Sequence, residues 1–136
     1  MAVKSWLLDK SALVRLGQSR DVELWATRIE QGLVRISTIT RLELGYSARS
    51  GKELRSLFLN PPFSRFIVEA LSPAIEERAW DLINLLADKG QHRAPSIPDL
   101  LIAATAEKCG LTLLHLDKDF DLIAKFTGQS VEKLKI

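Results

Sequence analysis

The sequence contains one cysteine in 136 residues. It therefore has neither a disulfide framework nor a thiolate metal site, and a reducing compartment, the cytoplasm, is expected. Its two histidines, His92 and His115, are not at metal-pair spacing and do not share a helix face. No apolar run approaches the ~20 residues of a membrane helix, so no membrane association is expected. The opening MAVKSWLLDK breaks at Asp9 before a signal-peptide core can form. Neither G-x-x-x-x-G-K-[ST] nor G-x-G-x-x-G occurs, so nucleotide cradling by those loops is unsupported. Nor does one sign of charge dominate, since 19 Lys+Arg against 17 Asp+Glu leave +2. With 46% hydrophobic residues, disorder is set aside, and the length predicts a single domain over residues 1–136.

The charge is unevenly spread, with residues 1–68 netting +5 and residues 69–136 netting −3. The basic side chains Arg41, Arg49, Lys52 and Arg55 are loosely grouped, and a solvated surface explains any one of them. Ser5 to Leu8 reads as a buried strand, and Ser11 to Leu16 as one or two helical turns. Between Asp21 and Gln31, Val22, Trp25, Ala26 and Ile29 fall on one helix face, and Gly32 stops that helix. A strand over 33–36, a helix over 40–48 and a helix over 51–60 follow, the last stopped by Pro61-Pro62. Phe66 to Val68 forms a short third strand. Pro73 opens a long helix to about Lys89, and Pro98 opens one that is apolar all round. A strand over 111–116, a helix over 120–126 and a strand over 130–134 complete the chain. Strands alternating with helices predict an α/β fold with a parallel sheet covered on both faces.

Ligands in such folds sit at the carboxyl edge of the sheet, so the residues at strand-to-helix junctions carry the interest. Asp9 follows the first strand, Glu43 lies in the first turn after the second, and Asp117 follows the fourth. Asp99 opens the apolar helix behind Pro98. Each has a purely structural explanation. Asp9 and Asp117 suit helix caps, Asp99 suits the helix dipole, and Thr40-x-x-Glu43 fits a capping box. Taken together the balance shifts, because clustered carboxylates repel one another unless a cation lies among them. Oxygen-only ligands suit Mg2+ or Mn2+, and such sites commonly hydrolyse phosphoesters through a metal-activated water. With those four acids compensated, the rest of the chain sums to +6, which tolerates a polyanion.

Three segments, LLDKSALVRL, STITRLELGYSAR and PSIPDLLIAATAEKCGLTLLHLDKDFDLIA, occur in an order and spacing that cover almost the whole chain. In these the sequence resembles the PIN-domain endoribonucleases, specifically the VapC-type toxins of bacterial toxin–antitoxin pairs. The resemblance implies a three-layer α/β/α fold with a parallel sheet of order 3-2-1-4-5. It implies that Asp9, Glu43, Asp99 and Asp117 form an acidic site for Mg2+ or Mn2+, where a metal-bound water attacks an RNA phosphodiester. It also implies a cognate antitoxin whose tail fills the site, with an arginine on the carboxylates, and a homodimer. By the same analogy Ser11 holds a metal-bound water or an acidic neighbour, the alternative being a local cap. Lys10 stands where the family has a small hydroxylated residue and either contacts the scissile phosphate or faces solvent. Asp119 and Asp121 rival Asp117, which is preferred as nearest the strand end; Asp119 reads as surface, with a lesser metal neighbour as the alternative. RNA would be read by shape and exposed loops, with Lys10, Arg41 and Arg49 as backbone contacts.

Other residues invite simpler readings. His115 is expected as a packed strand histidine, Cys109 as inert, and Trp6, Trp25 and Trp80 as core or dimer contacts. The alternative function is a non-catalytic Mg-binding regulatory or interaction module. A receiver-like site wants adjacent acids where this chain has Leu8-Asp9-Lys10, and an aspartate phosphatase wants D-x-D where it has Asp9-Lys10-Ser11.

Overall fold

The computed structural model describes residues 3–136; residues 1–2 of the opening segment lie outside it. In chain order the elements are β1 (Trp6–Leu8), α1 (Lys10–Leu13), α2 (Val22–Glu30), β2 (Val34–Ser37), α3 (Thr38–Ser47) and α4 (Gly51–Leu59). β3 (Ile67–Glu69), α5 (Pro73–Asp88), α6 (Ile97–Lys108), β4 (Thr112–His115), α7 (Lys118–Thr127) and β5 (Val131–Lys133) follow. Short 3-10 turns fill Leu16–Gln18 and Phe63–Arg65.

The five strands form one sheet of order β3-β2-β1-β4-β5, and every pair is parallel. β1 sits at the centre, with Trp6 opposite both Val34 and Thr112. The chain runs outward from β1 to β3 on one side, then crosses to β4 on the other. The carboxyl ends of β1 and β4 therefore flank the point where strand order reverses, which is where such sheets leave a crevice.

Period-two alternation divides the strand side chains between two cores. Leu7, Leu113 and Leu111 face α5, α6 and α7, whose Leu82, Leu86, Ala103 and Phe120 are buried with them. Trp6, Leu8, Val34, Ile36 and Leu114 face the other way, onto Leu13 of α1 and Trp25 and Ile29 of α2. That is a helix layer on each face of the sheet, as predicted. Trp6 and Trp25 meet edge-on at 5.2 Å between ring centroids, and the Arg28 guanidinium lies over both rings. Both tryptophans are core, whereas Trp80 is 64% exposed and belongs to neither core.

Element starts follow the serines. Ser37, Ser50, Ser72 and Ser96 cap α3, α4, α5 and α6, each accepting a bond from a first-turn backbone N–H. Two expectations change here. β2 runs directly into α3, so Ser37, the last strand residue, takes the cap and the Thr40–Glu43 box does not form. The helix also starts two residues earlier than its pattern suggests, which moves Glu43 into the second turn. On α2, Trp25 and Ile29 are buried, but Val22 and Ala26 are exposed along a cleft whose far wall is Pro61, Pro62 and Phe63. The apolar face of that helix is wider than the core it covers.

Candidate metal centre

Each acid is held at an element end by its own local bonding. Asp9 caps α1 and is only 5% exposed. Its Oδ2 accepts from the Ser11 backbone N–H at 3.0 Å and from the Ser11 hydroxyl at 2.6 Å. The same hydroxyl accepts from the Leu116 backbone N–H at 2.9 Å. Ser11 thus joins the end of β1 to the end of β4 and orients Asp9 while doing so. Asp117 caps α7, its Oδ1 accepting from the Asp119 N–H at 2.9 Å. Its own backbone N–H donates to His115 Nδ1 at 3.1 Å. His115 is wholly buried, as expected of a packed strand histidine. Its Nε2 lies 3.3 Å from Asp121 Oδ1 but finds no aligned acceptor.

Asp99 closes a capping box with Ser96, accepting from the Ser96 N–H at 3.0 Å while its own N–H donates to Ser96 Oγ at 3.2 Å. The capping explanations for Asp9 and Asp117 are therefore correct as local structure, and Asp99, expected to answer only the helix dipole, also closes a capping box. They are not exclusive, because each cap occupies one carboxylate oxygen and leaves the other without a protein partner among the described residues. Glu43 caps nothing, and its buried Oε1 has no hydrogen-bond partner.

The electrostatics tie the acids together. Burial pushes the Glu43 carboxyl above its ordinary value, Asp9 and Asp99 add to this, and Lys10 opposes it. Burial also raises Asp99, with Asp117 and Asp9 contributing against the Ser96 hydrogen bonds that pull it down. Asp119 is raised by burial first and then by Asp117. Asp99 is the common member of these couplings, feeling both Asp9 and Asp117 and acting on Glu43, while Asp9 and Glu43 stand outside the closest carboxylate group. The structure adds a fifth acid. One carboxylate oxygen each from Asp99, Asp117 and Asp119 lie within 4.8 Å of one another. Asp119, read from the sequence as surface in preference to a metal neighbour, thus has a carboxylate oxygen close to those of two other acids. The signal was available: a helix cap at 117 puts residue 119 on the same helix end. Asp121, with its side chain 56% exposed, turns toward His115 instead.

This set fits a hard divalent cation. All its donors are oxygens, Glu43 and Asp99 are pushed toward protonation where no cation offsets them, and a buried Glu43 oxygen stands unpartnered. Lys10 Nζ donates to Ser47 Oγ at 2.9 Å in a solvent-exposed bond, which places this cation on α3 near Glu43. Arg41 and Arg49 lie exposed on and just beyond the same helix.

With this geometry in view, residues 6–126 match the family model of the PIN domain. The chain belongs to the PIN-domain family. This PIN domain is 60% identical over 134 residues to Ribonuclease VapC2 of Mycobacterium tuberculosis (strain CDC 1551 / Oshkosh), covering 98% of this chain and 95% of that one. It is 43% identical over 129 residues to Ribonuclease VapC51 of strain ATCC 25618 / H37Rv, covering 95% and 91%. Among solved structures it resembles the DNA-bound VapBC of Salmonella typhimurium, with a TM-score of 0.76 at 21% identity over 96% of this chain and 98% of that one. It also resembles a toxin-antitoxin complex from Klebsiella pneumoniae, with a TM-score of 0.66 at 24% identity over 97% and 100%. The structural likeness speaks for the PIN fold, and the sequence likeness places the chain in the VapC group.

Proposed function

We propose that this PIN domain is a metal-dependent endoribonuclease, the toxin of a toxin–antitoxin pair, and that Asp9, Glu43, Asp99 and Asp117 hold Mg2+ or Mn2+. The observation that carries the reading is the convergence of these acids at the β1/β4 crevice, with Glu43 Oε1 buried and unpartnered. The cation supplies a water of lowered pKa and neutralises charge on the scissile phosphate. The protein supplies rigidity. Ser11 fixes Asp9 against β4, the Ser96 box fixes Asp99, and the bond from the Asp117 N–H to the His115 imidazole fixes Asp117. Asp119 stands by as a further oxygen donor. Lys10, held by Ser47, offers a positive charge to a phosphate lying across the acids.

The VapC names of the curated relatives and the toxin-antitoxin assemblies among the structural neighbours support an antitoxin partner, and with it an RNA substrate in the cytoplasm. A homodimer completes the reading. Exposed Trp80 and Ile97, on α5 and α6, are the apolar side chains offered to a second copy. The test is incubation of total RNA with purified, antitoxin-free protein, with Mg2+, with Mn2+ and with chelator. Cutting at discrete sites in metal alone supports the nuclease. Intact RNA under every condition, with the protein folded, sinks it in favour of a non-catalytic module.

A further inference from the structure

We infer that Tyr46 is a stacking platform for one unpaired base beside the scissile phosphate, with Arg41 and Arg55 holding the backbone on its far side. This rests on the ribonuclease reading. Tyr46 is the one tyrosine in the sequence, and at 93% exposure it is covered by nothing in the protein. It lies three residues after Glu43, one turn further along α3 on the same side. A shallow hollow joins Tyr46 to Glu43 and Lys10, so the ring borders the Glu43 side of the acidic site. A second hollow, between α3 and α4, begins at the same Tyr46 and Leu42 and is rimmed by Arg41 and Arg55, with Phe58 in its wall. Leu42, itself 63% exposed, and Tyr46 form the ridge between the two.

The path has acids and a lysine at one end, an aromatic face in the middle and two guanidiniums beyond. Among the described residues Arg41 and Arg55 have no carboxylate within ion-pair distance, so their charge is free for a partner. The Arg55 guanidinium lies directly over Gly51, where a Cβ would meet Nη1 at 2.9 Å, so the absent side chain makes room for it. Cations on either side of an exposed ring are how unpaired nucleic acid is gripped. Phosphates take the cations, and any base can lie on the ring because every base has a π-face. Paired bases cannot reach it. A second protein copy would find apolar contact at Leu42 and Tyr46 but also two uncompensated arginines, so the charge pattern favours the polyanion.

The experiment uses fluorescein-labelled ten-nucleotide single-stranded RNA, and the same strand annealed to its complement. Both are titrated by anisotropy against cleavage-dead Asp99→Asn protein in Mg2+. Tyr46→Ala in that background should weaken single-strand binding roughly tenfold, and Tyr46→Phe should restore it to within about twofold. Duplex binding should ignore both changes. In otherwise wild-type protein Tyr46→Ala should raise KM for RNA cleavage and leave kcat within about twofold, since stacking is equal in ground and transition states. Arg41→Gln or Arg55→Gln should lower the salt dependence by about one phosphate contact. A Tyr46→Ala protein that binds and cuts like wild type overturns this inference alone. So does one that light scattering shows to have changed from dimer to monomer, since the ridge would then be a contact between copies. Wild-type protein that neither binds nor cuts RNA overturns the ribonuclease reading and this one with it.

Discussion

Asparagine separates the two duties of the site aspartates, because it caps a helix about as well as aspartate yet binds a divalent cation poorly. Asp99→Asn and Asp117→Asn should therefore fold with unfolding midpoints close to wild type while RNA cutting falls about a hundredfold or more, the scale of losing a metal's several kcal/mol. Comparable losses of stability and activity would mean that capping was their whole role. Ser11→Ala should cost roughly 1–3 kcal/mol, since it strands the Leu116 N–H, and should slow cutting roughly 10- to 100-fold by loosening Asp9. Glu43 gives a pH signature. A carboxyl whose folded pKa is raised favours the folded state most when protonated, below the unfolded carboxylate range. It forfeits that contribution as pH rises through the unfolded value toward the raised one. Metal-free Glu43→Gln, which cannot ionise, should gain stability relative to wild type over that climb, read from thermal midpoints across pH. A difference that does not change with pH would contradict the burial and repulsion described for Glu43. At this scale the sequence was legible for the positions of Asp9 and Asp117, which follow strands, and of Asp99, which lies in the first turn of α6. Asp119 was only half legible. Spacing put it near Asp117, but its approach to Asp99 depends on how α6 and α7 pack, which residue order does not encode.

Elements were legible where periodicity and punctuation agree. Leu7, Leu113 and their neighbours read as buried strands, Pro73 opens its helix, and the apolar α6 is buried as its pattern demands. Gly128 adopts φ 73° and ends α7 by donating to Ala124 O, a backbone conformation open to glycine at little cost. The start of α3 was misread because Thr40-x-x-Glu43 is a valid box by pattern. A strand leading without a loop into the helix hands the cap to Ser37 instead. The correction matters to function, since it frees Glu43 from local bonding. Ser37→Ala should therefore cost about 1 kcal/mol in chemical denaturation. It should also reduce activity, because the frayed turn leads to Glu43. Stability unchanged in Ser37→Ala would return the cap to Thr40.

At the scale of the molecule, the sheet order decides the chemistry. Because β1 and β4 are adjacent but far apart in sequence, Asp9 and Asp117 both follow strands flanking the reversal of strand order, and Asp99 on α6 is close enough to repel both. The topology was legible only through resemblance of three segments, since no local pattern says which strands pair. Metal and fold should be coupled. Adding Mn2+ at a hundred times its dissociation constant should stabilise the protein by about 2.7 kcal/mol and raise the midpoint by several degrees. The most direct measurement of the central claim is Mn2+ binding by electron paramagnetic resonance, made on antitoxin-free wild type, Glu43→Gln and Asp99→Asn beside RNA cutting by the same samples. The account predicts that wild type binds Mn2+ and cuts, and that both variants weaken binding tenfold or more and lose cutting in step. Variants that bind Mn2+ as wild type does, or a wild type that cuts equally well in chelator, would contradict it.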